Sequence, residues 1–449
     1  MTYWSAPFWL LLLIGPLIAW HEFGHFWVAR KLGVKVLRFA VGFGPTLWSR
    51  RGSDDTEYAI NAIPLGGYVK FADEREGEVA SVDLSRAFNR QSLWKRSAIV
   101  FAGPLANLLL TVAAFWLMFS VGVSDYRPVL GETSGQAAAA GLRANDEILA
   151  INGAATPNWT QVFLELTTLG YAHEQALVQV GDSAGAQREV KLDLSALPKG
   201  FDEGGLLKEV GLTTRQSNPE TRVGMFAKES PARRAGVQLG DRIVAINGAS
   251  VSNAKQVRET VQTKAGEAGG KIELLVERAG ATRTILVQAQ LVEAASAADK
   301  PSWLIGVGWE YAEVTRRYGP LDAIGASLQE TKMFFVKSVQ TIQALLVGEA
   351  STKNVSGVIT IAQVAQISGE GGLAEFLRTM ALVSLSLFII NLLPVPILDG
   401  GHLLYYFIEW IKGSPVPERA QMVGQAAGLA FIFGLMSLAL YNDLARVLG

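Results

Sequence analysis

Apolar residues along the chain gather into four windows, each at least as long as the roughly 18 residues that a helix needs to cross a bilayer. Met1–Trp20 carries no charge, Ser97–Ser124 is uncharged just after Lys95 and Arg96, Thr379–Leu398 is uncharged, and Ala420–Asn442 is uncharged between Arg419 and Asp443. They predict a polytopic α-helical membrane protein with four transmembrane helices. The first window has no Lys or Arg ahead of it and no small-residue cleavage pattern behind it, so it reads as a retained helix and not as a secretory signal. Between the windows the spacing changes. Residues 34–71 read as short strands, Val36–Val41 and Tyr58–Ile63 among them, with turns expected at Gly42–Pro45 and Gly66–Gly67. Leu321–Val347 has mixed helical periodicity, suited equally to an interfacial helix and to packing on a soluble module.

The long stretch between the second and third windows contains a repeat. Ala140–Gly153 returns 95 residues later as Ala235–Gly248, with Gly141, Asp146 and Asn152-Gly153 matched by Gly236, Asp241 and Asn247-Gly248. Each copy predicts a module of about 90 residues: a short helix ended by Gly, a polar turn, a strand, and a tight Asn-Gly turn. The pattern resembles PDZ domains of the circularly permuted bacterial type. In the second copy Gly306-Val307-Gly308-Trp309, after the linker Glu293–Lys300, is the candidate loop for holding a peptide terminus by free backbone N–H groups. The expected organisation is a first span over 1–29, a β-hairpin region over 30–96 dipping into the membrane, and a second span over 97–124. PDZ modules follow over 125–220 and 221–312, then an interfacial helix and linker over 313–374, and spans over 375–410 and 419–445.

Charge sets the orientation. Residues 30–96 hold twelve Lys and Arg, and the loop before the fourth window has Lys412 and Arg419. Positive residues collect on the cytoplasmic side, so both loops are expected inside, with the termini and both PDZ modules outside in the periplasm of a bacterial inner membrane. A net charge of −1 gives no pull toward nucleic acid. The chain has no Cys, which excludes disulfides, thiolate zinc sites and cysteine nucleophiles, and leaves its four His with Asp and Glu as metal ligands.

Two of those His stand at the end of the first window, in His21-Glu22-Phe23-Gly24-His25. On a helix, His residues four apart project from one face and can grip one zinc ion, with Glu22 placed to act as a base on a water there. Ionisable groups in an apolar helix are costly and point to function. A catalytic zinc usually takes three protein ligands. The candidate third lies in Asn391-Leu392-Leu393-Pro394-Val395-Pro396-Ile397-Leu398-Asp399-Gly400-Gly401-His402, where Pro394 and Pro396 break the helix. Asp399 is favoured over its rival His402, because a carboxylate at membrane depth needs a cation more than a neutral imidazole does.

Together the HExxH helix, the distant Asn-x-x-Pro-x-Pro-x-Leu-Asp-Gly and the tandem PDZ insert resemble the site-2 protease family. Gly66-Gly67-Tyr68 and Phe101–Asn107 extend the likeness over nearly the whole chain. The resemblance implies zinc-dependent cleavage of single-span membrane proteins within or near the lipid bilayer, an anti-sigma factor and signal-peptide remnants among the implied substrates. By motif it makes His21, His25 and Asp399 ligands of one zinc ion and Glu22 the general base. Asn391 becomes a contact to the substrate backbone, with Gly66, Gly67, Pro394 and Pro396 at the substrate-binding surface and the PDZ modules gating access. Where such proteins often read Ser-Gly-Pro before the third span, this chain has Ser356-Gly357-Val358. A membrane-anchored PDZ adaptor with a vestigial metal site is the competing reading, and the intact His21, Glu22, His25 and Asp399 argue against it.

Overall fold

The computed structural model describes residues 5–182, 184–215, 221–227, 229–292, 301–310 and 313–448. The linker Glu293–Lys300 and the first four residues of the first apolar window lie outside the described residues. Four described helices are long and apolar enough to cross a membrane: Ser5–Lys31, Leu93–Val121, Leu373–Asn391 and Glu418–Val447. The chain divides into two units, one of Met1–Val123, Lys199–Asp202 and Thr315–Gly449, the other of Ser124–Pro198 and Glu203–Val314.

In the first unit the first two spans approach closely through small residues. A Cβ on Gly24 would stand 2.3 Å from the Ala102 carbonyl oxygen and 2.9 Å from the Ala106 methyl. Between membrane helices such close backbone approach replaces the hydrophobic drive that lipid removes. The third span is tied to the second by hydroxyls: Ser384 Oγ donates to the Asn107 carbonyl at 2.8 Å and Thr111 Oγ1 to the Ala381 carbonyl at 3.3 Å. Phe115, Met118 and Phe119 of the second span, with Leu377 and Ala381 of the third, fill one core. Phe26, Ala29, Val36, Ile99 and Tyr406 fill another near the end of the first span.

Two span boundaries differ from expectation. The second helix starts at Leu93, because Lys95 and Arg96 find partners inside the fold: Lys95 Nζ donates to the Leu32 carbonyl and Arg96 pairs with Glu409 at 2.6 Å. The segment 375–410, in which Pro394 and Pro396 were expected to break the helix, comprises two helices. The first stops at Asn391, Leu392–Leu398 leave the helical path, and Asp399 opens a separate helix to Lys412. Pro394 and Pro396 remove ladder donors, and Gly400 and Gly401 let the segment fold back on the new helix. A Cβ on either glycine would lie 2.3 Å from a carbonyl oxygen, that of Leu393 or of Val395.

Pro320–Leu346 forms one long amphipathic helix. The shorter helix Val358–Glu370 begins at the Ser356-Gly357-Val358 departure. Its first turn is capped by the buried carboxylate of Asp443 in the last helix, which accepts from the N–H groups of Gly357, Ile359 and Thr360 at 3.0, 2.9 and 3.2 Å. Val358 holds the first helical position, where proline is also favoured, so the residue change leaves that turn intact.

Residues 36–71 form two bent strands, Val36–Arg51 and Glu57–Phe71. Val36–Val41 runs against Gly67–Phe71 on one side, and on the other its partners climb with it, Arg38 beside Glu57 and Val41 beside Ile60. Thr46–Arg51 in turn opposes Glu57–Asn61. The bend at Gly42–Pro45 uses positive φ at Gly42 (90°) and Gly44 (82°).

The second unit holds the two copies of the repeat. Strands Ala154–Ala155, Glu147–Ile151, Gln175–Gly181 and Gln187–Asp193 lie side by side in that order. Ala249–Ser250, Arg242–Ile246, Lys271–Arg278 and Ala281–Gln288 repeat the order in the second copy. The local devices also repeat. Gly141 and Gly236 end short helices at φ 93° and 100°, Asn152-Gly153 and Asn247-Gly248 turn with both residues at positive φ, and Asn158 and Asn253 cap the helices Trp159–Tyr171 and Ala254–Glu267.

Candidate metal centre

A helix turns about 100° per residue, so His21 and His25 sit about 40° apart on one face of the first span, with Glu22 flanking His25 on the far side. The fold points that face at the second span and at the start of the helix Asp399–Lys412. His25 Nε2 lies 3.2 Å from His21 Nε2, and Asp399 Oδ2 lies 3.2 Å from the first imidazole and 3.5 Å from the second. Among the described residues these three form the group of His and carboxylate side chains that could hold a metal ion. Asp399 Oδ2 is buried and receives no hydrogen bond of ordinary geometry, although both imidazole Nε2 atoms lie beside it.

The backs of the two rings are held by the second span. His25 Nδ1 is 2.8 Å from the Ile99 carbonyl, which makes that nitrogen the donor and leaves Nε2 with its lone pair. His21 Nδ1 is 3.2 Å from the Asn107 side-chain amide. Gly103, between these two contacts, leaves room for both rings: a Cβ there would stand 2.2 Å from His25 Nε2 and 2.8 Å from His21 Nε2. Nothing in local residue spacing marks these contacts of Ile99, Gly103 and Asn107. The signal that was available is Asn107, a polar residue in an otherwise apolar window.

Glu22 is half-buried, and its Cγ would lie 2.9 Å from a Cβ on Gly67, which places the strand Gly67–Phe71 directly beside it. Gly66 takes φ 149°, and a Cβ there would run into the Phe43 ring at 1.9 Å. Gly67 does not need a positive φ; what excludes a side chain there is Glu22. Asn391 is the last residue of the third span, Pro394 is exposed, and Pro396 packs toward Gly424 and Gly428 of the fourth. His402 lies outside the converging group, its ring 6.5 Å from that of Tyr405. Gly306–Trp309, in the other unit, is not a free loop. Gly306 turns at φ 71°, and Val307–Trp309 is a strand paired on one edge with Val223–Phe226.

The donor set suits zinc. Two imidazole nitrogens and a carboxylate oxygen are its usual catalytic ligands, and three protein ligands leave a position open for chemistry. Their mutual spacings of 3.2, 3.2 and 3.5 Å match the edge of a tetrahedron, about 3.3 to 3.4 Å for bonds of about 2.0–2.1 Å.

Comparison with known proteins points the same way. The model of the family described as Peptidase family M50 matches residues 9–435. A Xylella fastidiosa (strain 9a5c) protein named as a zinc metalloprotease is 41% identical over 449 residues, covering 98% of this chain and 99% of the relative. The regulator of sigma-E protease RseP of Salmonella typhimurium (strain 14028s) is 38% identical, over 97% of this chain and 98% of its own. Its Escherichia coli K12 counterpart is 37% identical over the same shares.

Proposed function

We propose, from the premise that this chain belongs to peptidase family M50, the site-2 proteases, and is a zinc metalloprotease, that it cleaves single-span membrane proteins within or near the bilayer. The convergence of His21, His25 and Asp399 carries this reading, since it brings three zinc-type donors together at the end of one candidate span and just beyond another. In the proposal these three hold the ion. Zinc, when bound, supplies the Lewis acidity that polarises a peptide carbonyl and makes water a nucleophile near neutral pH. Glu22 takes the proton from the attacking water and returns it to the departing amine, and Asn391 steadies the substrate backbone.

A helical substrate hides its peptide bonds, so it must be held extended. The bent strands of residues 36–71 are suited to that task, because Gly67–Phe71 runs beside Glu22 and can pair an extended chain along its edge. The repeated modules are read as periplasmic PDZ domains over 125–220 and 221–312 that filter substrates by size. The positive-inside distribution supports a bacterial inner membrane with both termini outside. The sigma-E regulators among the relatives support an anti-sigma factor as substrate.

The test measures zinc content together with cleavage of a co-expressed single-span protein. Glu22→Gln should abolish cleavage while zinc stays near stoichiometric; His21→Ala and His25→Ala should lose the metal; Asp399→Asn should weaken both binding and turnover. Zinc lost from Glu22→Gln, or lost from His402→Ala and kept by Asp399→Asn, would overturn the assignment.

A further inference from the structure

We infer that Asn107 is a positioning residue for the metal centre: its side-chain carbonyl accepts a hydrogen bond from His21 Nδ1–H and thereby fixes the ring with its Nε2 lone pair toward the ion. The two amide atoms of Asn107 differ sharply in what surrounds them. Nδ2 lies 3.2 Å from His21 Nδ1, and Oδ1 is buried with no partner. With the amide in that sense, His21 Nδ1 is an acceptor and its proton must sit on Nε2, the nitrogen that faces His25 and Asp399. A nitrogen carrying a proton has no lone pair for a metal. If Nε2 binds the ion, Nδ1 carries the proton, and a donor would then face the donor Nδ2.

Turning the amide by 180° removes that clash. Oδ1 then meets Nδ1–H, and Nδ2 occupies the place where Oδ1 is unsatisfied. Nitrogen and oxygen of an amide are assigned from their hydrogen bonds, so the sense follows from the neighbour that must be served. Neither sense satisfies both atoms, and the atom against His21 decides. The second imidazole solves the same problem with a backbone group, the Ile99 carbonyl at 2.8 Å from His25 Nδ1. The two rings are thus oriented by one helix, through a main-chain acceptor for His25 and a side-chain acceptor for His21.

Asn107 is itself fixed for the task. It is fully buried, and its backbone carbonyl receives Ser384 Oγ from the third span at 2.8 Å and Thr111 Oγ1 at 3.0 Å. Partners behind a metal-bound histidine set its tautomer and basicity, and their loss typically weakens binding 10- to 100-fold. The inference rests on His21 binding zinc through Nε2, which zinc loading of the wild type against His21→Ala tests separately.

The experiment is chelator competition for zinc on the purified full-length chain, with Asn107→Ala and Asn107→Asp. Asn107→Ala removes the acceptor and should weaken zinc binding about 10- to 100-fold, with the unfolding midpoint of the metal-free protein close to wild type. Asn107→Asp keeps an oxygen in place and should bind zinc within a few-fold of wild type. Zinc affinity of Asn107→Ala within about twofold of wild type, or of Asn107→Asp as weak as Asn107→Ala, would overturn the role. Should the variants fail to fold, nitrogen NMR of the zinc-loaded wild type with labelled histidine decides. A protonated Nδ1 and a metal-shifted Nε2 are expected at His21, and a protonated Nε2 overturns the inference.

Discussion

One methyl group measures how tightly the centre is built. Gly103→Ala would put a Cβ 2.2 Å from His25 Nε2, inside any allowed contact, so this variant should lose zinc as completely as His25→Ala although it removes no ligand. Elemental analysis of the purified protein checks it, and stoichiometric zinc would show that the two helices can part. Gly66→Val and Gly67→Val should behave differently, lowering cleavage with zinc retained. The first puts a branched side chain at φ 149° and into the Phe43 ring; the second pushes Glu22 away from its place on the first span. Zinc measured beside turnover separates the two kinds of damage. His21, Glu22 and His25 were legible as a group because four-residue spacing on a helix is a local property. Gly103 and Asn107 matter only once two helices have crossed, and no local spacing announces that.

Among the elements, the repeat shows how much a short motif can specify. Asp146 and Asp241 accept the N–H groups of Arg143 and Gln238, and each also pairs with an arginine, Arg188 or Arg278, that reaches on to the carbonyl of Gly141 or Gly236. Gly, Asp and Asn could be read from the sequence, whereas the arginines lie about 40 residues away on other strands of the same sheets and become visible only in the fold. Burial alone would raise the Asp241 carboxyl, but the hydrogen bonds from Arg278 and the Gln238 N–H hold it below the usual range. Its stabilising contribution is therefore full above the unfolded value near pH 4 and lost as the pH falls through the lower folded value. Asp241→Ala should destabilise the second copy by about 2–3 kcal/mol, toward the low side for a broken buried pair because Arg278 is partly exposed. Pulse proteolysis with pepsin should show the wild-type second copy losing stability below about pH 4 more steeply than Asp241→Asn. Parallel curves would assign the acid sensitivity elsewhere. In the other unit, the prolines announced the break after Asn391 but not that Asp399 opens a new helix. Gly400→Ala should shift that helix start and weaken zinc binding and cleavage together, because its Cβ would meet the Leu392–Leu393 backbone at 2.3–2.4 Å.

For the molecule as a whole, four apolar runs and a 95-residue repeat made the outline of the fold legible, because span length and module duplication are written in composition and periodicity. The departures from that outline, the helix start at Leu93 and the new helix opening at Asp399, depended on ion pairs and loop packing between distant segments. If the repeated modules act as a size filter, deleting residues 127–312 should let the protease cut substrates that still carry a large outer domain. Cleavage confined to trimmed substrates in a folded, zinc-loaded deletion protein would favour capture of a peptide terminus instead. The separation of the proposed ligands also bears on how the protein comes into being. His21 and His25 leave the ribosome before Asp399, which follows 374 residues after His25. At about 5–20 residues per second that interval lasts roughly 20 to 75 s. Throughout it the nascent chain already carries the HExxH helix into the membrane beside other newly inserted spans, yet lacks the carboxylate that completes the centre. On the proposed ligand set, the protease is harmless to its neighbours until the later of its two distant motifs has been made.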